Sequence, residues 1–237
     1  MNRRYPHLWL DLDQTLYDFK NASRQALQAT FTELQIPYVA ENFLAYEQCN
    51  HDCWTAFENR EMDAKLLRTE RFRRFFERIG YRNEHLLQDI SDSYLRHIVE
   101  FTTLLPGAID FLKTVGPGRT VTIITNGLRE AQRPRLAMEN GIAGLFDHEV
   151  ISDEIGVAKP DPGFFNVARQ RCGAERKADI LIVGDSLNSD IRGGLQYGVD
   201  TLWFNWENKP NDSPWQPTYE RTDFEQIIDL LSTPAGA

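Results

Sequence analysis

The sequence predicts an α/β protein whose core is a doubly wound, Rossmann-like parallel sheet, interrupted by an inserted α-helical domain. Short apolar runs alternate with helical segments in the C-terminal part, a pattern typical of βαβ units with helices on both faces of the sheet. A further apolar run, Leu8–Leu12, stands near the N-terminus, and the residues after it carry only helical periodicity. We therefore assign residues 1–17 and 104–237 to the core domain and residues 18–103 to a helical domain.

Composition limits the classes of function. The 237 residues are 41% hydrophobic and 26% charged, which is typical of a soluble globular protein with one large domain or a core plus a smaller one. Lysine and arginine number 26 against 35 acidic residues, and the net charge of −9 argues against binding to nucleic acid polymers or membrane surfaces. A small anionic substrate, held by a few local cations and backbone N–H groups, is compatible with that charge.

The sequence also suggests where the protein acts. No apolar run approaches the length of a membrane span, and the N-terminal segment enters the first strand without room for a signal peptide. Cys49, Cys53 and Cys172 show no zinc-site spacing and are expected to be reduced thiols. We therefore expect a cytoplasmic protein, either a monomer or a homodimer.

The first predicted strand, Leu8–Leu12, ends in two acids separated by one residue. Side chains two positions apart on a strand share a face, so Asp11 and Asp13 are expected to lie on the same side. Two like charges at the end of a buried strand repel each other and lose hydration, a cost that a cation or a shared proton removes. An ordinary solvated turn that includes Thr15 explains the same residues equally well.

The inserted segment predicts four helices and no strand. Asn21 is a candidate cap for a helix over residues 21–34, where apolar residues recur at helical spacing, and Pro37 ends that segment. The remaining predicted helices are 40–57, 63–79 and 84–101, with Gly80 marking a break.

Beyond residue 104, strands and helices alternate. The predicted strands are 120–125, 148–152, 180–183 and 201–204, each a short apolar or β-branched run. The predicted helices are 108–115, 129–140, 162–172, 189–197 and 224–231. Residues 205–222, which are rich in proline, asparagine and tryptophan, are expected to wrap the surface before the last helix.

Polar side chains follow the predicted strands where each strand ends, the position at which open α/β sheets bind ligands. These side chains belong to Asp11, Asp13, Thr125, Asn126, Asp185 and Asp190, and Lys159 stands just ahead of a helix. Carboxylates are ligands that Mg²⁺ prefers. Thr125, the N–H groups after it and Lys159 supply the donors and the positive charge that suit a phosphate. A neutralised carboxylate beside a bound phosphate can itself attack the phosphorus.

Each residue also has an ordinary explanation when it is taken alone. Asp190 is explained as well by a helix cap as by a metal site. Asn126 and Gly127 together are typical of a turn, and a single lysine such as Lys159 usually lies on the surface. These explanations do not account for the position of all the groups at the strand ends of one sheet.

In this order, the motifs resemble those of the haloacid dehalogenase-like (HAD) hydrolase superfamily. The motifs are Asp11-x-Asp13-x-Thr15, the strand-end Thr125, Lys159-Pro160 and Gly184-Asp185-x-x-x-x-Asp190. The match spans the core, and the inserted helices look like the helical cap of that superfamily's phosphatase branch. The resemblance implies an enzyme with a HAD-type fold that uses Mg²⁺ and acts on a small phosphorylated metabolite.

The resemblance also implies a role for each residue. Asp11 would be the nucleophile that forms an aspartyl-phosphate, and Asp13 would be the general acid and then the general base. Thr125, Asn126 and Lys159 would bind the phosphate, and Lys159 would also orient Asp11. The residues implied around the metal are Asp11, Asp13 through its main-chain carbonyl, Asp185 and, in support of them, Thr15 and Asp190.

A narrower resemblance concerns the substrate. Dehalogenases of this pattern lack the second acid, because no alkoxide leaving group needs a proton, so Asp13 implies a phosphatase. In the cap, Asn50-x-x-x-Trp54 and Arg71-Phe72 are similar to the bacterial house-cleaning pyrimidine 5′-nucleotidases. Asn50, Trp54 and Arg71 are therefore possible substrate contacts, while Trp54 at helical spacing also fits a packed core.

The sequence departs from that pattern at two places. Gln14 stands where Asp, Glu or Gly is commoner, and Arg60-Glu61 replaces a glycine-containing turn of the cap, which bears on substrate choice. The preferred hypothesis is a nucleoside 5′-monophosphate phosphatase, and the alternative is a sugar-phosphate or phosphoglycolate phosphatase. A 2-haloacid dehalogenase or a non-catalytic phosphoryl sensor is disfavoured, since the acids and the lysine of all the motifs are present.

Overall fold

The structure, a computed structural model, describes residues 4–233 apart from the side chain of Glu84. The chain forms two compact units, one of residues 4–18 with 103–233 and one of residues 19–102. We call them the core unit and the helical unit, and their junctions lie one residue from the predicted ones. Residues 1–3 and 234–237, which the prediction assigns to the core domain, lie outside the described residues.

The core unit is built on a six-stranded parallel sheet in the order β3-β2-β1-β4-β5-β6. The strands are β1 His7–Leu10, β2 Thr120–Thr125, β3 His148–Ile151, β4 Ile180–Gly184, β5 Asp200–Phe204 and β6 Tyr219–Arg221. In the register of the sheet, Leu10 lies opposite Ile123 of β2 and Val183 of β4. The carboxyl ends of these three strands therefore meet at one edge, and the predicted parallel core is confirmed.

Both faces of the sheet are buried, as is usual for parallel strands. Along β1, Leu8 and Leu10 pack in one apolar cluster with Phe111, whereas Trp9 points to the opposite face and stacks on Phe165 with ring centroids 6.1 Å apart. Leu8, Trp9 and Leu10 have no exposed surface. A strand packed on both faces gives the residue that follows it a well-defined position.

The helical unit contains four α-helices among its described residues. They are α1 Phe19–Glu33, α2 Asn42–Glu58, α3 Ala64–Ile79 and α4 Leu87–Glu100, with a 3₁₀ turn at Glu84–Leu86 where the prediction began its last helix. Asp63 caps α3 by accepting the N–H of Leu66 at 2.7 Å, and Gly80 ends this helix with a φ of +71°.

The helices of the core unit follow the predicted alternation with three differences: one helix ends early, one begins late, and the short helix over residues 152–155 was not predicted. The helices are α5 Ala108–Val115, α6 Arg129–Leu136, α7 Ser152–Ile155, α8 Pro162–Cys172, α9 Arg192–Tyr197 and α10 Phe224–Ser232. The prediction that α6 runs to residue 140 is wrong, because Pro134 cannot donate a helical hydrogen bond and the chain turns soon after it. A π-helical turn, Leu187–Ile191, precedes α9. No helix of residues 4–233 has the length and apolarity needed to cross a membrane.

The expectation that residues 205–222 only wrap the surface is wrong. Within them, Tyr219–Arg221 forms β6 and pairs in parallel with β5, with Trp203 opposite Glu220. This strand lies at the edge of the sheet and is half-exposed. An edge strand needs backbone pairing on one side only and does not have to be apolar, so its sequence carries no clear strand signal.

Candidate active site

Asp11 lies directly beyond the end of β1, at the centre of the sheet. Its N–H donates to the carbonyl of Val183 at 2.9 Å, and the residue is 7% exposed. The predicted strand ran to Leu12, but the chain leaves the sheet earlier, with Gln14 at a φ of +61° and a bridge from Asp13 to Tyr17. The period-two alternation therefore does not place both carboxylates on one strand face, and the two side chains have different partners.

Lys159 holds the carboxylate of Asp11 from inside the protein. Its Nζ donates to Asp11 Oδ1 at 2.5 Å, to Asp190 Oδ1 at 2.7 Å and to the carbonyl of Ile124 at 2.9 Å, which uses all three donors of the ammonium group. Burial opposes the charge of Lys159, but Asp11 and Asp190 outweigh it and raise the lysine pKa above its ordinary value. The side chain is 1% exposed, so the explanation of Lys159 as a surface lysine is wrong.

Asn126 fixes the backbone of Lys159. Its Oδ1 accepts the N–H of Lys159 at 2.8 Å, and its Nδ2 donates to the carbonyl of the same residue at 2.9 Å. The side-chain amide is thus engaged with the lysine backbone, and Asn126 connects the end of β2 to the position of Lys159. A direct contact of Asn126 with phosphate stays a prediction.

Three carboxylates meet at the ends of β1 and β4. One oxygen each from Asp11, Asp185 and Asp190 lies within 4.8 Å of the others. Gly184 makes this approach possible, because a Cβ at this position would lie 2.3 Å from Asp190 Oδ2. The cap of the π-helical turn is Ser186, whose Oγ accepts the N–H of Ser189 at 3.1 Å. Asp190 also accepts the N–H of Ser186 through Oδ2 at 3.2 Å, so it has a capping contact in addition to its contact with Lys159.

The electrostatics of this cluster suit a cation. Burial, followed by the charge of Asp190 and Asp13 acting against Lys159, raises the pKa of Asp11 to about 7. Burial together with Asp11 and Asp190 raises the pKa of Asp185 well above its ordinary value. Clustered hard oxygen ligands that resist ionisation fit a site for Mg²⁺, which would relieve both the burial and the repulsion. The side chain of Asp13 is not in the cluster, and its main-chain contact with the metal stays a prediction.

The carboxylate of Asp13 binds instead to α6. Its Oδ1 accepts from Arg135 Nη2 at 2.5 Å, and its Oδ2 accepts from Gln132 Nε2 at 2.8 Å. The same Nε2 lies 3.0 Å from Thr125 Oγ1, and Arg135 Nη1 donates to Gln132 Oε1 at 2.8 Å. Thr125, Gln132 and Arg135 are all 1–2% exposed, whereas the Asp13 side chain keeps 26% of its surface.

Sequence reasoning missed Gln132 and Arg135, which lie in a segment that was identified only as a helix. Residues three apart on a helix share a face, so the pair was detectable as a polar patch directly after the strand end at Thr125. Without the fold, however, the same spacing also describes a solvated helix face. Only the pairing of β1 with β2 brings these side chains to Asp13.

Thr15 is expected to support the metal site. It is fully buried, and its Oγ1 has no hydrogen-bond partner among the described residues. Its predicted supporting role stays a prediction.

Two of the three predicted substrate contacts in the helical unit, Asn50 and Arg71, contact each other. Arg71 is 2% exposed and donates from Nη1 to Asn50 Oδ1 at 3.2 Å, with its guanidinium 4.9 Å from the ring centroid of Tyr94. Trp54 packs edge-to-face on Phe57 at 5.6 Å and lies against an apolar cluster. This packing favours a core role for Trp54, and a substrate contact for any of the three stays a prediction.

Known proteins are similar to this chain over most of its length. The family of haloacid dehalogenase-like hydrolases matches residues 7–198. The pyrimidine 5′-nucleotidase YjjG of Escherichia coli is 30% identical over 96% of this chain and 98% of its own length. The pyrimidine 5′-nucleotidase PynA of Streptococcus pneumoniae is also 30% identical, over 96% of this chain and 95% of its own.

A solved structure is similar to this chain over nearly its whole length. The HAD-hydrolase YfnB of Bacillus subtilis, crystallised with magnesium bound, superposes with a TM-score of 0.89 at 31% identity. The superposition covers 98% of this chain and 100% of that one. The likeness therefore includes both the core unit and the helical unit.

Proposed function

This chain belongs to the haloacid dehalogenase-like hydrolases, and from that premise we propose that it is a Mg²⁺-dependent phosphomonoester hydrolase acting through an aspartyl-phosphate on Asp11. The observation that carries the proposal is the burial of Asp11 between a lysine and two further carboxylates. A nucleophilic carboxylate needs both a fixed direction and neutralised surroundings to approach a phosphate dianion.

The first half of the reaction transfers the phosphoryl group to Asp11. Lys159 holds Oδ1, so the attacking lone pair is on Oδ2, and the bond from phosphorus to the leaving oxygen breaks as the new bond forms. Asp11 and Asp185, with Asp190 in support, would hold Mg²⁺, which when bound would supply positive charge near the phosphoryl oxygens. Asp13 gives its proton to the leaving oxygen, which departs as an alcohol.

The second half releases phosphate. Asp13, now a carboxylate, takes a proton from water, whose oxygen bonds to phosphorus while the bond from phosphorus to Asp11 breaks. Thr125 supplies a donor for a phosphoryl oxygen, because its Oγ1 already accepts from Gly127 at 3.1 Å and from Gln132 at 3.0 Å, which leaves its own O–H to donate. Asp11, Asp13 and Thr125 therefore act both in the transfer of the phosphoryl group and in the release of phosphate.

Pyrimidine nucleoside 5′-monophosphates are the substrates we propose. Two relatives that match nearly the full chain are named for this activity, and both cover the helical unit as well as the core. In the proposal, Asn50 and Arg71 contact the nucleoside part. The three cysteines are free thiols, which agrees with action in the cytoplasm.

Phosphate release from a panel of metabolite phosphates, with Mg²⁺ or with EDTA, tests the proposal. We expect Mg²⁺-dependent release that is fastest with uridine or cytidine 5′-monophosphate, and loss of turnover in Asp11→Asn. The control Asp110→Asn, on the exposed side of α5, should match the unmodified enzyme. A preference for sugar phosphates would overturn the nucleotide assignment, and full activity in EDTA or in Asp11→Asn would overturn the reaction.

A further inference from the structure

Two buried side chains of α6 hold Asp13, which otherwise lies on an irregular loop. Arg135 is almost completely buried. Among the described residues, it forms an ion pair with Asp13. A buried guanidinium without a counter-charge is costly, so this pair favours one position of the carboxylate. The helix is fixed in turn, because Tyr17 donates to the carbonyl of Arg135 at 2.9 Å and its ring lies 4.6 Å from the guanidinium.

Arg135 also determines the orientation of the Gln132 amide. A guanidinium can only donate hydrogen bonds, so the Gln132 oxygen must face Arg135. The amide nitrogen must then face Asp13 Oδ2 and Thr125 Oγ1, as observed. One arginine thus sets the direction of two groups: the acid-base carboxylate and, through the amide, the threonine hydroxyl.

The space for this amide exists because residue 127 is glycine. A Cβ at Gly127 would lie 1.8 Å from Gln132 Nε2, a contact that the end of the glutamine side chain can relieve only by moving away. The φ of Gly127 does not lie in the left-handed region, so alanine is allowed by the backbone at this position. Gly127→Ala is therefore a way to displace the amide without removing Gln132.

We propose that Arg135 and Gln132 are positioning residues for the phosphatase reaction, which align Asp13 with the phosphate-binding Thr125. This inference rests on the proposed function. Arg135 holds Asp13 Oδ1 and Gln132 holds Oδ2, so the two donors together fix the direction in which Asp13 gives a proton to the leaving oxygen and later takes one from water. A fixed direction matters because a misplacement of about 1 Å can cost about 100-fold in rate.

Two substrates whose leaving groups differ in their need for a proton distinguish a positioning role of Arg135 and Gln132 from a structural role. p-Nitrophenyl phosphate releases the stable p-nitrophenolate anion without needing a proton, whereas the 5′-oxygen that leaves uridine 5′-monophosphate needs a proton from Asp13 to depart as an alcohol. We expect Arg135→Met and Gln132→Met to keep a p-nitrophenol burst of normal amplitude, with a burst rate constant within about threefold of that of the unmodified enzyme. The steady-state rate after the burst should fall, because Asp13 also activates the water that releases phosphate. Their kcat with uridine 5′-monophosphate should fall by about 100-fold, the lower range for loss of acid-base catalysis.

The matched control is Arg133→Met on the same helix. Arg133 is half-exposed and pairs with Glu149 and Glu154, each at 2.6 Å, so its loss should leave both substrates unaffected. Equal losses in the rate constant of phosphoryl transfer to Asp11 with the two substrates, or a burst reduced in amplitude, would show a structural role and overturn the inference. Variants that behave like Arg133→Met would overturn it as well. If the unmodified enzyme hydrolyses neither phosphate ester, the proposed function itself fails.

A double-variant comparison tests the same inference by another route. Gly127→Ala should reproduce the substrate-dependent loss of Gln132→Met, because both remove the amide from Asp13. The double variant Gly127→Ala with Gln132→Met should then be no more than about threefold slower than either single variant, since contacting residues that act as a unit are not additive. Multiplied losses would contradict the inference that Gly127 acts through Gln132.

Discussion

Replacing Lys159 with methionine removes the buried cation that lies between Asp11 and Asp190. Both ion pairs are short, 2.5 Å and 2.7 Å, and the lysine side chain is 1% exposed. Methionine has nearly the same length and an apolar end, so the change deletes the charge with little change in packing. The carboxylates of the cluster then face each other without compensation.

The expected loss follows from that burial. Removing one partner of a buried ion pair typically costs about 3–5 kcal/mol. The pKa of Asp11 is already raised to about 7 by burial, so this carboxyl can take up a proton when the lysine is lost, which limits the cost to about 3 kcal/mol near neutral pH. For a chain of this size, 1 kcal/mol corresponds to about 2–4 °C, so Tm should fall by about 6–12 °C.

Thermal unfolding in EDTA and in saturating Mg²⁺ measures this effect. Because Mg²⁺ can replace part of the missing positive charge, the difference in Tm between the unmodified protein and Lys159→Met should be smaller with Mg²⁺ than in EDTA. Lys113→Met, at an exposed position of α5, controls for the loss of a lysine. An unchanged Tm in EDTA, or the same difference in both solutions, would refute the reasoning.

Two further predictions concern the metal. Burial raises the pKa of Asp11 from 3.8 to about 7 and also raises the pKa of Asp185. Between pH 3.8 and 7 the folded protein therefore binds more protons than the unfolded chain. The stability of the metal-free protein should fall as pH rises through this range. Mg²⁺ competes with those protons, so the rise in the Tm of the protein on adding Mg²⁺ should be larger at pH 7.5 than at pH 5. Equal rises at the two pH values, measured by calorimetry, would contradict the raised pKa values of the cluster. Gly184→Ala should weaken Mg²⁺ binding by about 10–100-fold in titration calorimetry, because its Cβ displaces Asp190; unchanged affinity would count against a supporting role for Asp190.

The fold class could be predicted because its signals are local. Buried parallel strands must be short apolar runs. Asp11 directly follows β1, Thr125 is the last residue of β2, and Asp185 directly follows β4. The strand-end rule brings these residues to one edge without knowledge of any distance. The matches to HAD hydrolases confirm the resemblance that these motifs indicated.

What could not be predicted depends on tertiary contacts. Gln132 and Arg135 look like solvent-facing residues of a helix until β1 and β2 pair and bring Asp13 beside them. The edge strand β6 has no apolar pattern, because it pairs on one side only. Likewise, Lys159 has no sequence signal for burial, and only the two carboxylates around it make a buried ammonium group stable.

The most direct test of the central claim is the capture of a phosphorylated Asp11. Enzyme that is turning over p-nitrophenyl phosphate with Mg²⁺ is quenched in acid within milliseconds, digested and analysed by mass spectrometry. We predict phosphate on the peptide that contains Asp11, appearing in step with the burst of p-nitrophenol and absent from Asp11→Asn. A burst without phosphate on this peptide, or phosphate on another residue, would contradict the account.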